Sequence, residues 1–259
     1  MDEDVAFLDT FKDDVLDDFL SRGWYRSLSV GCMFTEDNVT INGVTYPAYW
    51  IRYDVASMVL SSSQRRLMNR VRKKYSIDYE PFRIDHELEQ LFVQYKKVAT
   101  FLNENSLKYI FGSDTHTFNT EVIKIRDKNE LIAAGLFDKG NNSISGVMNF
   151  YDPDYRKYSL GKYLVLEKVS YCLKAGIEYY YPGNIVPGIH KLDYKLFINK
   201  NAIEVYDITA GTWIPYLEWK AHYLSSQKYI DKGNAKRFNI FRRYFQLCFE
   251  SIMFKGRNN

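Results

Sequence analysis

The most constraining feature of this sequence is a series of three apolar runs between residues 121 and 151, which two short turn sequences separate. The turn sequences, DKN at 127–129 and KGNN at 139–142, are rich in residues that favour turns, and each apolar run has the length of a strand. Because short turns join antiparallel neighbours, the pattern predicts an antiparallel meander of three strands.

A helix and a further strand are predicted directly after the meander. Residues 159–176 place helix formers between Ser159, a residue type that caps amino termini, and Gly176, a residue type that ends helices. The apolar sequence IEYYY at 177–181 then predicts a short strand. Three antiparallel strands, a helix and another strand indicate an α+β core.

The first part of the chain carries other patterns. Apolar residues spaced by three and four over residues 5–20 predict an amphipathic helix that ends near Gly23. Asn42-Gly43 between β-branched residues predicts a hairpin, and residues 47–55 predict a strand. From Asp85 another amphipathic helix is expected.

Charge is unevenly distributed along the chain. Residues 1–18 hold eight Asp or Glu residues against Lys12, whereas residues 61–75 hold six Arg or Lys residues and no acid. The serines at 61–63 can cap a helix, so a basic helix is predicted over 61–75. Such a density of positive charge favours contact with a phosphate backbone, although a solvated basic helix stays open as the alternative. The candidates for RNA contact are Arg65, Arg66, Arg70 and Lys73.

Hydropathy and cysteine content exclude several classes of protein. No stretch approaches the roughly 20 apolar residues of a membrane span, and the first residues are acidic where a signal peptide would be basic. Cys32, Cys172 and Cys248 lie far apart and form no CxxC pair, which predicts neither a disulfide framework nor a cysteine metal site. We therefore expect a soluble cytoplasmic protein without a bound metal.

The segment between the third strand and the following helix has the composition of an anion-binding loop. Arg156, Ser159, Leu160 and Gly161 lie here, where backbone N–H groups and the positive end of a helix can receive a phosphate. An ordinary capped helix start is the alternative interpretation.

Three segments of the chain carry a resemblance to a known family. The run FYDPDYRKYSLGKYLVLEKVSYCLKAGIEYYYPGNIVPGIHKLDYK, which begins at residue 150, resembles the carboxyl-terminal domain of arginyl-tRNA and leucyl-tRNA protein transferases, in which Tyr-Asp-Pro, Ser-Leu-Gly and a later Tyr-Lys recur. SRGWYRS at 21–27 and SSSQRRLMNR at 61–70 are similar to two further segments of that family and lie in the same order.

This resemblance implies an enzyme that moves arginine or leucine from its tRNA to the exposed amino terminus of another protein and so marks that protein for degradation. Aminoacyl-tRNA would be the donor substrate, and no cofactor would be needed. The implied fold is GNAT-like (acetyltransferase-like), with a mixed, largely antiparallel sheet flanked by helices. We assign residues 81–222 to this core, residues 1–80 to a smaller α+β region with the basic helix, and residues 223–259 to a basic aromatic helical segment.

The resemblance also selects candidates for catalysis. Tyr151 and Asp152 would orient the amine and the aminoacyl group, against the alternative that Asp152 only makes a turn with the proline that follows it. His190 would act as a base or lie on the surface without a role. Lys195 would hold an acidic side chain or a phosphate, or else be solvated.

The loop at Arg156 to Gly161 would receive the terminal adenosine of the tRNA or its phosphate. The candidates for substrate binding are Arg52, Gly183, Lys191 and Tyr194.

Two departures from the family leave other functions open. The family carries metal-binding cysteines near its amino terminus, whereas this sequence keeps only Cys32. The Tyr-Leu-Gly-Tyr of the family is replaced here by Tyr181-Pro182-Gly183-Asn184. These changes are compatible with a catalytically inactive homologue that binds RNA or protein. An acyltransferase that uses acetyl-coenzyme A is the other alternative, and the basic helix argues against it because it exceeds what one cofactor needs.

Overall fold

A computed structural model describes residues 5–27, 31–41, 43–99, 106–111, 117–189 and 193–226. The chain divides into two compact units, Met1–Leu217 and Glu218–Asn259. The strands are β1 (Val5–Ala6), β2 (Tyr25–Arg26), β3 (Met33–Phe34), β4 (Asn38–Ile41), β5 (Val44–Pro47), β6 (Tyr49–Asp54), β7 (Ser76–Pro81), β8 (Thr120–Asp127), β9 (Glu130–Lys139), β10 (Ser143–Tyr151), β11 (Tyr179–Ile185), β12 (Ile203–Asp207) and β13 (Thr212–Pro215). The helices are α1 (Asp13–Ser21), α2 (Ser62–Lys74), α3 (His86–Lys96), α4 (Leu107–Phe111), α5 (Leu160–Ala175) and α6 (Tyr216–Ser226), with 3-10 helices at Pro153–Tyr158, Tyr194–Phe197 and Lys200–Ala202.

An eight-stranded sheet forms the centre of the first unit, in the order β13-β12-β6-β11-β10-β9-β8-β7. Its neighbours pair antiparallel, except β10 and β11, which are parallel. The expected α+β class, with a mixed and largely antiparallel sheet flanked by helices, is therefore confirmed.

The predicted meander, helix and strand are confirmed as β8, β9, β10, α5 and β11. A parallel partner requires a crossover connection, and α5 supplies it between β10 and β11. α5 ends where Gly176 adopts φ +70°, a left-handed conformation that glycine adopts without steric cost.

The amphipathic helix expected over residues 5–20 is wrong in its first half, because α1 begins only at Asp13. Val5 and Ala6 pair with β3, and the Phe11 N–H donates to the Thr117 carbonyl over 2.7 Å. These long-range backbone hydrogen bonds hold the segment extended, so tertiary pairing overrides the apolar spacing.

The basic helix and the hairpin are confirmed. Ser61 caps α2 through a capping box with Gln64, in which each side chain binds the backbone N–H of the other residue. β4 and β5 pair across a turn that contains Gly43 at φ +78°. The helix expected from Asp85 forms as α3, with the Asp85 carboxylate accepting from the Leu88 N–H.

The assignment of residues 1–80 to a separate region stays a prediction. β6 and β7 nonetheless both pair within the eight-stranded sheet. β7 is an element that the sequence patterns did not predict. Of the segment 223–259, residues 227–259 lie outside the described part of the chain, as do His190 and Lys191.

The two cysteines that the structure describes, Cys32 and Cys172, are buried. Among the described residues, no three His, Cys, Asp or Glu side chains come together in a way that could hold a metal, and the expected absence of a metal stays a prediction. None of the helices in the described segments combines the length and apolar character that crossing a bilayer would take.

Candidate active site

β10 and β11 separate from each other partway along their length. They pair only at Ser143–Tyr179, Ile144–Tyr180 and Ser145–Tyr181, although both strands continue further. Beyond these pairs β10 stays bonded to β9 and β11 stays bonded to β6. The two parallel strands therefore diverge and leave an opening in the sheet, which we call the β10–β11 opening.

The local sequence explains this separation. Pro182 has no backbone N–H to donate to a neighbouring strand, and Gly183 adopts φ +102°, which L side chains rarely allow. The pairing of β11 with β6 is irregular between Tyr180 and Gly183, and that of β10 with β9 is irregular between Gly146 and Met148. Irregularities of this kind bend strands and often occur beside functional sites.

Tyr151 lies at the end of β10, above the start of α5. A Cβ built on Gly161 would lie 3.4 Å from Cε1 of Tyr151, the distance of an ordinary van der Waals contact, so the tyrosine ring lies directly beside the first turn of α5. The ring of Tyr151 also lies 5.4 Å from that of Tyr95 on α3. The strand end, the helix start and α3 thus meet at Tyr151.

Asp152 caps the short 3-10 helix that follows it. Its Oδ1 accepts a hydrogen bond from the Asp154 N–H over 2.9 Å, which is the turn expected for an Asp-Pro sequence. One carboxylate oxygen thus has a local structural task, while the catalytic role of Asp152 stays a proposal.

The start of α5 differs from the expected capped helix. Ser159 adopts φ +56° and its side chain makes no capping hydrogen bond. The Ser159 hydroxyl therefore accepts no hydrogen bond from the first N–H groups of α5. Ser159 and Arg156 are exposed, whereas Leu160 is buried in the core. The first turn of a helix leaves N–H groups without partners inside the helix, and these can receive an anion.

Lys195 and Tyr194 approach the β10–β11 opening from the 3-10 helix after β11. Lys195 is buried, and its Nζ donates to the Asn184 carbonyl over 2.7 Å. Burial lowers the pKa of Lys195 to about 8, although Asp193 opposes this shift. A Cβ on Gly183 would lie 3.8 Å from Nζ of Lys195, so these two candidates are neighbours.

Tyr194 is near Tyr151 and Tyr95. Burial raises the pKa of Tyr194, a hydrogen bond with the Asn149 side chain lowers it, and Tyr151 raises it further. Burial, followed by the proximity of Tyr151 and Tyr194, raises the pKa of Tyr95 to about 12. The structure therefore brings Tyr151, Gly161, Gly183, Tyr194 and Lys195 to the same region.

Sequence reasoning missed Lys168 and Asn149. Lys168 is fully buried on α5, where its Nζ donates to the Leu136 carbonyl and to Asn149 Oδ1, each over 2.8 Å. Burial lowers the pKa of Lys168 to about 7, and Asp138 and Cys172 oppose that shift. A signal was present, because Leu164, Lys168 and Cys172 follow one another at four-residue spacing on one helix face.

Arg52 lies in different surroundings. It forms an ion pair with Glu204 over 2.6 Å, and its guanidinium lies 4.0 Å from the centre of the Tyr179 ring. Arg52 lines a cleft of about 280 Å³ together with Asp17, Asp18, Ser21, Asn142, Ser143, Glu178, Tyr179 and Tyr181. The other substrate-binding candidates that the structure describes, Gly183 and Tyr194, do not line this cleft.

The basic helix α2 is partly neutralised, which corrects the expectation that no acid balances it. Arg72 forms an ion pair with Glu167 on α5 over 3.0 Å. Arg65 donates to the Leu60 carbonyl, and Lys74 donates to the Tyr158 hydroxyl over 2.6 Å. Three of the six basic residues of α2 therefore have a hydrogen-bond or ion-pair partner.

The other three cations, Arg66, Arg70 and Lys73, are exposed and have no hydrogen-bond or ion-pair partner in the described segments. Their spacing of four and then three residues places them on one face of α2.

Both ends of α2 are bonded to segments that border the candidate site. At its first turn, Gln64 Nε2 donates to the Phe197 carbonyl in the 3-10 helix that carries Tyr194 and Lys195. At its last turn, Lys74 binds Tyr158 in the 3-10 helix that follows Asp152. The free basic face is therefore carried by a helix anchored on two sides of the site.

Comparison with known proteins identifies the same region of the chain. Residues 64–203 match the family model for the arginine-tRNA-protein transferase C terminus. The aspartate/glutamate leucyltransferase of Ruegeria pomeroyi is 29% identical over 177 residues, which cover 66% of this chain and 63% of that protein. The leucyltransferase of the same name from Granulibacter bethesdensis is 29% identical over 170 residues, covering 64% and 62%.

The alignments span less than two thirds of the length of these relatives. Among solved structures, FemX superposes with a TM-score of 0.44 at 10% sequence identity, over 71% of this chain and 63% of that one. Because the family model covers more than half of the sequence, this chain belongs to the family of the arginine-tRNA-protein transferase C-terminal domain.

Proposed function

We propose that this protein is an aminoacyltransferase that moves an amino acid from an aminoacyl-tRNA to the α-amino group at the amino terminus of another protein. The observation that carries the proposal is the anchoring of α2, because its free basic face belongs to a helix bonded at both ends to the borders of the β10–β11 opening. A phosphate backbone that lies on Arg66, Arg70 and Lys73 would bring its acylated end toward Tyr151 and Tyr194.

The reaction requires little from the protein beyond positioning. The neutral amine nitrogen attacks the carbonyl carbon of the ester, a C–N bond forms, and the C–O bond to the ribose breaks. The amine loses one proton and the ribose oxygen gains one, so the products are an amide and a free hydroxyl. An α-amine has a pKa of about 7.7 to 8.0, so a weak base suffices to deprotonate it.

Donor and acceptor follow from the relatives and from the charges at the site. Relatives named aspartate/glutamate leucyltransferases support leucine as the donor amino acid, with arginine as the other option that the family model suggests. Lys195 is a buried cation whose described hydrogen bond is to a backbone carbonyl, and a buried lysine gains most from a carboxylate partner. We assign to it the acidic side chain of an acceptor that begins with Asp or Glu.

The reaction would take place in the cytoplasm, where it would mark proteins for degradation through their amino termini. The three cysteines lie far apart in the sequence and form no CxxC pair, which suits a reducing compartment. The chemistry needs no cofactor beyond the charged tRNA, and we expect elemental analysis of the purified protein to find no stoichiometric zinc or iron.

The proposal is tested by supplying alternative donors and acceptors to the purified protein. Labelled leucyl-tRNA, arginyl-tRNA and acetyl-coenzyme A are each incubated with peptides that differ only in a first residue of Asp, Glu, Lys or Ala. Transfer from a charged tRNA to the Asp and Glu peptides is expected. Transfer from acetyl-coenzyme A alone would contradict the proposal, and tRNA binding without any transfer would identify an inactive homologue.

A further inference from the structure

Tyr158 is an aromatic residue on the surface between the basic helix α2 and the candidate site. It is the last residue of the 3-10 helix Pro153–Tyr158, and Ser159, the N-cap of α5, follows it directly. Its side chain is partly exposed, and its hydroxyl accepts a hydrogen bond from Lys74 Nζ over 2.6 Å. No step of the proposed reaction uses this ring.

Two further tyrosines hold the Tyr158 ring in place. Tyr75, which is buried at the end of α2, meets it at an interplanar angle of 90°, with the ring centres 5.5 Å apart. Tyr155 lies three residues earlier on the same side of the 3-10 helix, with its ring centre 6.1 Å away. The Tyr155 hydroxyl in turn donates to the Asp127 carboxylate over 3.1 Å. The position of the Tyr158 ring is therefore fixed before any ligand arrives, which lowers the entropy cost of binding.

The surroundings of this ring are basic. Lys74 Nζ lies 4.3 Å and Lys157 Nζ lies 5.4 Å from the centre of the Tyr158 ring. Arg156 is also exposed, and Asp154 is the single acid of the same 3-10 helix. Because lysine carries its charge on a flexible four-carbon stem, both ammonium groups can turn from the ring to a phosphate when RNA binds.

The free basic face of α2 leads toward the Tyr158 ring. Arg66 and Lys73 are seven residues apart, which is about 10 Å along a helix axis. Lys73 lies in the last turn of α2, next to Lys74, which binds Tyr158. RNA that follows this face to the last turn therefore reaches Tyr158, and the start of α5 comes directly after it in the chain.

An accessible aromatic ring among cations suits unpaired RNA. In a double helix the faces of the bases are covered by their neighbours, whereas an unpaired base can stack on an aromatic side chain. Aromatic rings in positively charged surroundings are the stacking platforms of proteins that bind single strands. The 3′ end of a tRNA is unpaired and carries the amino acid, so it is the part of the donor that has to reach the candidate site.

We propose that Tyr158 binds the unpaired 3′ end of the charged tRNA by stacking on one of its bases, while Lys74 and Lys157 contact the phosphates beside that base. This inference rests on the proposed function, because it assigns a contact of the same donor. Stacking makes and breaks no covalent bond. It fixes the end of the tRNA between α2, which holds the backbone, and the start of α5.

Removal of the ring should weaken tRNA binding through the 3′ end alone. Filter binding measures the affinity of the full-length protein for uncharged tRNA and for the same tRNA without its unpaired 3′ nucleotides. Tyr158→Leu should bind the intact tRNA roughly 5- to 150-fold more weakly, the range for one lost stacked base, and the truncated tRNA as well as the wild type does. Tyr158→Phe keeps the ring and should retain most of the affinity. Tyr109→Ala, which removes an exposed tyrosine of α4, should bind both RNAs like the wild type.

The salt dependence of binding separates the ring from the charges around it. Tyr158→Leu should keep the wild-type slope of log affinity against log salt, because the ring carries no charge. The double variant Lys74→Met, Lys157→Met should lower the slope by about one unit per lost phosphate contact. An unchanged slope in the lysine variant, or an equal loss of affinity for intact and truncated tRNA in Tyr158→Leu, would overturn the inference.

Abasic tRNAs identify the stacked base and do not depend on the folding of a variant. Each unpaired nucleotide is replaced in turn by one that keeps the ribose and phosphate but has no base. With the wild-type protein, one of these changes should weaken binding by about the same factor as Tyr158→Leu does. The same change should cost nothing further in Tyr158→Leu. Losses that multiply when the two changes are combined, or no loss at any position with the wild type, would overturn the inference.

These assays also separate the inference from the proposed function, because they use uncharged tRNA and require no transfer. If the wild-type protein binds tRNA but transfers no amino acid, the proposed function fails, and the abasic tRNAs still decide whether Tyr158 stacks on the 3′ end. If the wild-type protein does not bind tRNA, both the proposed function and the inference are wrong.

Discussion

Gln64 donates a hydrogen bond to the carbonyl oxygen of Phe197 over 3.0 Å, and this contact joins the first turn of the basic helix to the segment that carries Tyr194 and Lys195. Gln64 is buried, and its Oε1 also accepts from the Ser61 N–H over 2.7 Å. The residue that completes the capping box of α2 therefore also fixes α2 beside the β10–β11 opening. The position of the three free cations relative to the candidate site depends on this anchor.

The free face of α2 should bind the phosphate backbone of the tRNA. We expect the triple variant Arg66→Ala, Arg70→Ala, Lys73→Ala to bind charged tRNA more weakly, and the slope of log affinity against log salt to fall by about one unit per lost phosphate contact. Filter binding over a range of salt concentrations measures both quantities. The double variant Lys108→Ala, Lys174→Ala removes exposed cations from other helices and should change neither. Equal salt slopes for the triple variant and the wild type would remove α2 from the RNA interface.

Lys195 should select acceptors with an acidic first residue. Lys195→Met keeps the length of the apolar chain and removes the charge. It should raise KM for peptides that begin with Asp or Glu by roughly 10- to 150-fold, the equivalent of a lost hydrogen bond between charged groups. Peptides that begin with a neutral residue should be little affected. Lys200→Met, an exposed lysine close in sequence, is the control. A uniform loss across all peptides would assign Lys195 a structural role instead.

The carboxylate of Asp152 should act on the amine. Asp152→Asn retains an oxygen that can cap Asp154, so the 3-10 helix should be preserved while the charge is lost. We expect donor binding to be nearly unchanged and transfer to slow by about tenfold or more, as for a lost charged hydrogen bond. Asp154→Asn, an exposed carboxylate two residues away, is the matched control. Wild-type transfer rates in Asp152→Asn would mean that this residue only makes a turn.

Gly161 lies beside the ring of Tyr151, and its expected role in donor binding stays a prediction. The methyl group of Gly161→Ala would meet the ring of Tyr151, at the distance of an ordinary van der Waals contact. An effect of this variant on donor binding would therefore reach the donor through Tyr151.

The two buried lysines should make stability depend on pH in a specific direction. Burial lowers the pKa of Lys168 to about 7 and that of Lys195 to about 8, whereas an unfolded lysine has a pKa of about 10.4. Between pH 8 and 9.5 the unfolded chain therefore binds more protons than the folded protein. The free energy of unfolding should rise with pH in this window, by up to about 1.4 kcal/mol per pH unit for each lysine.

Above this pH window the buried tyrosines lower the free energy of unfolding as pH rises, which is opposite to the effect of the lysines. Burial raises the pKa values of Tyr53 and Tyr180 in the folded protein. At high pH these tyrosines therefore lose their protons in the unfolded chain and keep them in the folded protein. Urea denaturation at pH 8, 8.75 and 9.5 should show a rising stability in the wild type and a smaller slope in Lys168→Met. Lys174→Met, at an exposed position of α5, should keep the wild-type slope. Identical slopes in all three proteins would mean that Lys168 is not neutral in the folded state.

The elements that the sequence predicts well are those determined by local chemistry. The turns at 127–129 and 139–142, the capping box of Ser61 and the end of α5 at Gly176 all depend on neighbouring residues. The start of α1 and the strand β7 depend instead on backbone pairing with distant segments, which apolar spacing cannot report.

The contacts of the candidate site also fall into local ones, which the sequence can predict, and long-range ones, which it cannot. The resemblance selects Tyr151 and Asp152 as candidates, and their closeness in the chain to Gly161 makes the contact of Tyr151 with the start of α5 predictable. The partner of Arg72 could not be predicted, because Glu167 lies 95 residues away. The same holds for the contact between Lys168 and Asn149, which the packing of α5 on the sheet creates.

A single-turnover assay shows whether this protein transfers an amino acid from tRNA to an α-amine. The assay contains leucyl-tRNA, the wild-type protein in excess, and two peptides that begin with Asp. One peptide has a free amino terminus and the other is acetylated there, and mass spectrometry reads both products. We expect one leucine to be added to the α-amine of the free peptide, at a rate that rises with pH as an amine of pKa about 8 loses its proton. The acetylated peptide should stay unmodified. Equal modification of both peptides, or no modification of either peptide while the tRNA is bound, would mean that the protein does not transfer amino acids to α-amines.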